Sequence, residues 1–478
     1  MRRLIESAQN DNDDLIEVVA TALERAVARA TASTASFAER ERVAQQLSNE
    51  AVRRILERAL QALADEEGDI VHHDVHAYRR HEKGTAAYHS LCGPLVVRRF
   101  TYRRIGIRNG ETIVPLELRA GLIKNATPAL AYALARGYAN AGTRSVEQAL
   151  KAAGCAPPSR STLERMARSI GADAKKHVLE IERRVRKEET LPANATGVSI
   201  GIDRTTIPME EEPTDEERRQ GEARKVVVRY RMGYVGTVAI TDAEGAILMT
   251  RRYAVPAHEG GAGVARRLVN DVRHALSANP NIHIGVVQDG APELWNLVRE
   301  ALDEAGIPRS RYHEVIDIFH LFERVASALE LVEPNAQVRR RQLARWKKRI
   351  LRDDSTIARI AIYFELIIPT MNATWRRYPG RWTREQRRGL EKLLDGYLTV
   401  ADHFHYTKMI KRGLHVGSGI TEGACKSLIT ERAKRSGQRW SRAGISAVLT
   451  LRSLEKSDRF DAFWRRFAQR HAPLGRAA

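Results

Sequence analysis

Two apolar stretches that each end in aspartate decide how this sequence is expected to fold: Thr196–Asp203 (TGVSIGID) and Ile282–Asp289 (IHIGVVQD). Short apolar runs rich in Val and Ile are typical of strands buried inside a sheet. The surrounding sequence predicts further strands at 226–241, 246–253 and 312–319, and helices at 263–278 and 292–305. Three strands in succession, followed by alternating helices and strands, predict an α/β sheet of mixed strand direction.

The two aspartates are predicted to meet at one edge of that sheet. Residues at the carboxyl ends of neighbouring strands line the crevice in which such sheets bind ligands. Two carboxylates that meet there repel each other unless a cation lies between them. Mg²⁺ prefers carboxylate oxygens and keeps water and phosphate as its other ligands. Asp203 and Asp289 therefore predict a divalent-metal site, although either residue could instead serve as a turn or cap.

A third acidic residue, Glu422, follows the glycine-containing segment Val416–Thr421, in which Ser418 or Thr421 could cap a helix. A helix is predicted from Glu422 to Trp440, and Glu422 could alternatively be placed there for the helix dipole. Between Lys408 and Arg442 there are nine Lys or Arg residues and two acidic residues. This charge predicts a phosphate-binding surface beside the metal site. Its candidate DNA contacts are Lys426, Arg432, Lys434, Arg435, Arg439 and Trp440, of which the tryptophan fits base stacking or a core position equally well.

The whole chain is strongly basic. Its 478 residues include 79 Lys and Arg and 59 Asp and Glu, which gives a net charge of +20 and a pI of about 10.1. A pI above ~9 is typical of nucleic-acid-binding proteins. The three widely spaced cysteines imply no disulfide framework, and no apolar run approaches the ~20 residues of a membrane helix. Without a secretory signal, a cytoplasmic, nucleoid-associated protein with no membrane contact is expected.

The amino-terminal part is predicted to be mainly helical, with one β-hairpin and one helix-turn-helix-like segment. A long helix is expected over Asp13–Glu67, broken near Thr31–Ser36, and a hairpin around Asn109-Gly110. Two short helices at 145–154 and 162–169 flank a Pro- and Ser-rich connector. They fit a DNA-binding helix-turn-helix, with Arg160 and Arg165 as candidate contacts, or an ordinary helical hairpin. The His-rich stretch 72–92 has a single Cys and no CxxC, so no zinc is expected.

The predicted elements divide the chain into five segments. A polar stretch, Glu182–Asn194, is predicted to be a linker, and the basic stretch 321–411 is predicted to be helical. The segments are a helical region at 1–90, the hairpin and helix-turn-helix-like region at 91–190, the first part of the α/β domain at 191–320, a helical insertion at 321–412, and the last part of that domain at 413–478.

Five motifs resemble those of DDE-type bacterial insertion-sequence transposases, most closely the ISKra branch. They are Gly201-Ile-Asp203, Val287-Gln-Asp-Gly-Ala291, Ile316-Asp-Ile-Phe-His320, Gly417-Ser-Gly-Ile-Thr-Glu422 and Arg432-x-Lys434-x-Ser-Gly437-x-Arg-Trp440. The resemblance extends from about Val96 onward and leaves the first ninety residues unmatched. It implies an RNase H-like catalytic domain interrupted by an all-helical insertion. It also implies that Asp203, Asp289 and Glu422 form the catalytic, metal-binding triad.

The resemblance further implies cleavage at the ends of an insertion sequence and strand transfer into target DNA, with Mg²⁺ as cofactor and Mn²⁺ as its substitute. The implied partner is double-stranded DNA, both terminal inverted repeats and target, and two DNA ends must be paired, so a homodimer or higher oligomer is expected. Asp317 and His320 would lie near the site, where His320 could contact the scissile phosphate or be structural. An RNase H-like nuclease of another type and a catalytically silent, transposase-derived DNA-binding regulator remain alternatives.

Overall fold

A computed structural model describes residues 2–219, 226–377, 383–398 and 404–474. The chain divides into two compact units, one made of Met1–Ile181 with Phe460–Ala478 and the other of Glu182–Arg459. The predicted last segment, 413–478, is therefore divided between the two units. Among the described residues, no helix has the length and apolar character required to cross a bilayer.

The first unit begins with two long helices, α1 (Arg2–Ala30) and α2 (Phe37–Asp65), which confirm the predicted helix and its break. The break ends at Ser36, whose extended backbone and hydroxyl cap α2 by accepting a hydrogen bond from the N–H of Glu39. On the buried side of α2, Leu60 and Ala64 pack against Leu95 and Val97 of the neighbouring sheet. That packing, more than helix propensity, is what stabilises such a helix.

This sheet is antiparallel, with its four strands in sequence order: β1 (Ile70–His73), β2 (His76–Ser90), β3 (Gly93–Arg104) and β4 (Thr112–Ile113). The predicted hairpin is β3 and β4, and Asn109 in its turn has the positive φ, 56°, that Asn tolerates. β1 and β2 were not predicted. Their His, Arg, Lys and Glu residues hide the apolar alternation by which a half-buried strand is recognised.

The remaining helices of this unit are α3 (Pro115–Ala120), α4 (Pro128–Asn140), α5 (Thr143–Ala152), most of α6 (Arg160–Glu188), and α18 (Phe460–His471). The prediction of a short second helix followed by a linker from Glu182 was wrong, because α6 has 29 residues and continues to Glu188. Buried apolar residues recur along it at helical spacing, and they include Leu163, Ile170, Val178 and Val185. This apolar stripe extends the helix well beyond the charged residues on which the linker was predicted.

The second unit contains a five-stranded sheet: β5 (Gly197–Glu211), β6 (Val227–Thr241), β7 (Ile247–Val255), β8 (His283–Gln288) and β9 (Tyr312–Ile316). The strand order is β7-β6-β5-β8-β9. β6 is antiparallel to both of its neighbours, whereas β5, β8 and β9 are parallel. The predicted mixed α/β sheet is thus confirmed, and its topology is compatible with an RNase H-like fold.

Helices surround this sheet. α7 (Asp215–Arg219) follows β5, and α8 (Ala262–Ala278) and α9 (Pro292–Glu304) share a core with Val198, Ile200 and Ile202 of β5. The predicted helical stretch contains α10 (Ile318–Val332), α11 (Ala336–Ile350), α12 (Ser355–Arg377), α13 (Arg384–Leu398) and α14 (Tyr406–Ile410). After it come α15 (Gly419–Ala424), a π-helical segment (Cys425–Thr430), α16 (Glu431–Ala433) and α17 (Arg442–Glu455).

Candidate active site

Three aspartates are level with one another across the three parallel strands. Ile200 of β5 pairs with Val286 of β8, and three residues further along these strands are Asp203 and Asp289. Gln288 pairs with Ile316 of β9, so the residues that follow are Asp289 and Asp317. Because parallel strands advance together, their shared register brings the three carboxyl groups to the same edge of the sheet.

The position of Asp203 differs from the prediction in one respect, since it does not end its strand. β5 continues to Glu211 and pairs with β6 throughout, with Asp203 opposite Val235. Its pairing with β8 stops at Ile200, before Asp203 is reached. Asp203 therefore lies where β5 loses one neighbour, so there is room beside it that the interior of a sheet would not provide.

Gly201 allows β5 to approach both β8 and the turn that carries Glu422. A Cβ atom at Gly201 would lie 2.6 Å from the carbonyl oxygen of Val287 and 3.0 Å from Oγ1 of Thr421. Thr421 Oγ1 in turn lies 2.7 Å from Thr237 Oγ1 of β6, which ties α15 to the sheet. Since the first of these neighbours is backbone, a side chain at Gly201 would have to displace a strand.

We expect Gly201→Ala to lower the free energy of unfolding by about 1–3 kcal/mol, the usual cost of overpacking a core. Urea unfolding measures this loss. Gly263→Ala is the matched control, since a Cβ at this helical position meets nothing within 4 Å. Equal behaviour of the two variants would contradict the close approach.

The carboxylate of Asp203 is held by two donors. Oδ1 accepts a hydrogen bond from the backbone N–H of Arg204 at 2.6 Å, and Oδ2 accepts one from the thiol of Cys425 at 3.3 Å. Burial raises the pKa of Cys425, and the charges of Asp203 and Glu422 raise it further. The thiol therefore stays protonated, which lets it donate a hydrogen bond and pack among apolar side chains.

Glu422 is connected to Asp317 through Ser418. The Ser418 Oγ atom lies 2.9 Å from Oε1 of Glu422 and 2.5 Å from Oδ2 of Asp317. Asp317 is fully buried and caps α10 by accepting the N–H of Phe319. A hydroxyl has one proton, so Ser418 can donate to only one of these two carboxylates. The other requires a proton or a cation nearby. The sequence analysis named Ser418 as a possible helix cap, but its hydroxyl makes no such bond.

His320 completes this group. Its Nε2 atom is 3.8 Å from Oδ2 of Asp317, and its Nδ1 atom is 3.4 Å from Oε2 of Glu323. Asp317, His320 and Glu422 each offer one ligand atom, and these atoms lie within 4.8 Å of one another. The two residues predicted as auxiliary thus adjoin the predicted catalytic Glu422, and the set has the donor chemistry of a metal centre.

Apart from the imidazole of His320 beside Asp317, the carboxylates have no basic counter-ion among the residues that the structure describes. No Lys or Arg nitrogen there lies within 4.0 Å of Asp203, Asp289, Asp317 or Glu422. Two nearby cations are engaged elsewhere: Arg204 pairs with Glu293 at 2.6 Å, and Lys434 donates to Thr205 Oγ1 at 2.7 Å. The negative charge gathered at this edge therefore remains to be balanced.

The predicted helix over 422–440 is shorter than expected, because its last helical residue is Ala433. Gly437 then adopts a positive φ of 72°, and Trp440 bridges to Met209 of β5 as an added strand residue. Trp440 Nε1 donates to the carbonyl of Ala433 at 3.0 Å. Of the two roles left open for Trp440, these contacts match that of a core anchor.

The predicted DNA contacts of this segment divide by burial. Lys426, Arg435 and Arg439 are exposed, and Lys434 is half-buried. Arg432 is 1 % exposed and stacks on the ring of Trp440 at 4.9 Å. That burial corrects the expectation for Arg432, because a phosphate contact needs a guanidinium at the surface. In the first unit, Arg160 and Arg165 are both exposed on α6.

No family model and no curated protein matches the chain. Among solved structures, it is similar to the Drosophila P element transposase strand transfer complex, with 11 % sequence identity and a TM-score of 0.23. The match covers 72 % of this chain and 80 % of that one. A likeness at this TM-score carries no argument about function, which has to rest on the site itself.

Proposed function

We propose that the protein is a DNA transposase that cleaves phosphodiester bonds at the ends of an insertion sequence and transfers them to target DNA. Asp203, Asp289 and Glu422 are the proposed catalytic carboxylates. One observation carries the proposal: the parallel register brings Asp203, Asp289 and Asp317 to one edge of the sheet, where Ser418 lies within hydrogen-bond distance of both Asp317 and Glu422. A sheet compatible with an RNase H-like fold and the net charge of +20 support it.

The residues at this edge fit a divalent metal ion. They offer hard carboxylate oxygens that have no Lys or Arg partner among the described residues, and Ser418 can satisfy only one of the two carboxylates that it contacts. Asp203, Asp289 and Glu422 would hold the ion, with Asp317 and His320 beside them. Bound there, Mg²⁺ or Mn²⁺ would supply the Lewis acidity that activates an attacking oxygen and stabilises a leaving one in phosphodiester chemistry.

The chain's own residues would orient the carboxylates and bind the substrate. The N–H of Arg204 and the thiol of Cys425 fix the Asp203 carboxylate, and Ser418 fixes Glu422 relative to Asp317. Exposed Lys426, Arg435 and Arg439 follow Glu422 in sequence and would hold DNA phosphates near the carboxylates. Assignment to the ISKra branch rests on the five motifs, and an oligomer on the need to pair two DNA ends.

Magnesium-dependent cleavage and strand transfer test this proposal. Purified protein is mixed with a labelled duplex that carries the ends of the element around its gene, with MgCl₂, MnCl₂ or EDTA. We expect nicks at the element boundary and a strand-joined product in either metal, and neither in EDTA. Cleavage independent of those ends, without joining, would indicate an RNase H-like nuclease of another type. Binding without cleavage in either metal would indicate a regulator.

A further inference from the structure

Five basic or imidazole side chains form a cluster at the amino ends of β8 and β9, far from the carboxylates. We call it the amino-end cluster, and its members are His283, Arg311, His313, Lys408 and Arg412. His283 begins β8, and His313 pairs with Gly285 across the two parallel strands. Lys408 belongs to α14, and Met409 of that helix lies against Gly285. Two strands and one helix therefore converge on this cluster.

The charge of this cluster is not neutralised. Within the described ranges, none of its members has an acidic group within ion-pair distance. Burial, together with the charges of Arg412, Lys408 and His283, lowers the pKa of His313 to about 4. Burial, Arg412 and Arg311 lower the pKa of His283. The charged groups that act on the two histidines are thus cationic.

Neighbouring carboxylates have other partners. Both oxygens of Asp354 accept hydrogen bonds from Thr407, next to Lys408. Asp242, whose backbone approaches Gly413, accepts the N–H groups of Glu244 and Ala246 within its own turn. Meanwhile Arg311 is fixed by donating to the carbonyl of Pro280 at 2.7 Å. The cations of the cluster are Arg311, Lys408 and Arg412, because the lowered pKa values of His283 and His313 leave both imidazoles neutral near pH 7.

The cluster and the carboxylates lie on the same face of the sheet. Alternate residues of a strand share a face, so His283, Gly285 and Asp289 of β8 do so. On β5, Gly197 and Gly201 face Leu414 and Thr421, and Leu414 also lies against Gly285. From His283 to Asp289 the strand advances roughly 20 Å, at ~3.3 Å per residue.

We propose that the amino-end cluster is a second contact for the DNA backbone, and this inference rests on the proposed function. It would hold the duplex about six base pairs from the phosphodiester bond at the carboxylates, at ~3.4 Å per pair. Duplex DNA carries one charge per ~1.7 Å of its axis, so three neighbouring cations without acidic partners, Arg311, Lys408 and Arg412, match its backbone better than they match a single small anion.

The test measures binding of a labelled 30-base-pair duplex of arbitrary sequence in EDTA, at several salt concentrations. The double variant Lys408→Glu/Arg412→Glu should weaken binding at least ~10-fold near 0.1 M salt. It should also reduce the slope of log K against log salt concentration by about 2, because each lost phosphate contact accounts for ~0.9 of that slope. Lys408→Gln/Arg412→Gln should show a smaller loss in the same direction. Thermal unfolding of each variant shows that it is folded.

The matched control is Arg266→Glu/Arg273→Glu, which changes the net charge by the same amount. Both residues belong to α8, a helix that packs against the opposite face of the sheet. We expect it to bind DNA within about twofold of the wild type. Equal losses in both double variants, or none in the cluster variant, would overturn the proposal. The proposal would also be overturned if the protein bound duplex RNA more tightly than duplex DNA and the cluster variant weakened the binding of RNA by the same factor. Because EDTA prevents metal-dependent cleavage, this result is independent of the cleavage assay.

Discussion

Asp203→Asn should lower the rate of metal-dependent cleavage by about a thousandfold or more and leave DNA binding unchanged. Loss of one key electrostatic group in an active site costs about 10²–10³ in rate, and Asp203 would lose a metal-binding charge as well. Asparagine keeps the size of aspartate and one oxygen for the N–H of Arg204, so the sheet should remain intact. The rate of nicking in Mg²⁺ measures the effect.

A second measurement needs no DNA. A ligand that binds only the folded state stabilises it by RT ln(1 + [L]/Kd). Mg²⁺ should therefore raise the unfolding temperature of the wild-type protein and raise that of Asp203→Asn much less. Asp242→Asn is the control, because it removes the same charge from the turn between β6 and β7. Cleavage by Asp203→Asn at the wild-type rate would refute the assignment of this residue.

Much of the five-stranded sheet was predictable, because its signals are local. Apolar runs rich in Val and Ile mark β5 and β8, and the turn Asp242–Gly245 separates β6 from β7. The extension of β5 beyond Asp203 was not predictable. Residues 204–211 are largely polar, and they form a strand because β6 and the Trp440 bridge pair with them. Pairing with distant residues overrides local pattern.

The site was predictable as a set of residue types, but not in its connections. Asp203, Asp289 and Glu422 stand out by their positions after apolar strands or a glycine-containing turn. The bridging position of Ser418, and the burial of Asp317 behind it, depend on where residues a hundred apart come together. The long π-helical segment that begins at Cys425, which places this thiol on Asp203, likewise has no sequence signal.

The second unit also contains a buried ionic network that the sequence analysis did not identify. Asp271 of α8 accepts hydrogen bonds from Arg186 at 2.6 Å, from Arg459 at 3.0 Å and from Tyr253 at 2.5 Å. Arg459 also bonds to Glu189, and Glu182 pairs with Arg267. The network joins α8, β7, the end of α6 and Arg459, the last residue of the second unit. Removing one member leaves buried charges without partners, which costs more than the intact network contributes.

Asp271→Asn should therefore destabilise the second unit by about 3–5 kcal/mol, the cost of breaking a buried ion pair. For a unit of this size, that corresponds to a fall of roughly 10 °C in unfolding temperature. Calorimetry measures it. Glu300→Gln is the control, since this exposed residue of α9 should change stability by less than about 0.5 kcal/mol.

The pH dependence of stability provides a separate check on the network. Burial alone would raise the pKa of Asp271, but Arg459 and Arg186 outweigh it and hold that pKa below its usual value. A carboxyl group whose pKa is lower in the folded state stabilises the fold above its unfolded pKa of about 3.9, and that contribution is lost as the pH falls further. Asp271→Asn should therefore lose less stability than the wild type between about pH 4 and the acid transition. A parallel loss in both proteins would show that the pKa of Asp271 is no lower in the folded than in the unfolded protein, which would contradict its stabilisation by Arg459 and Arg186.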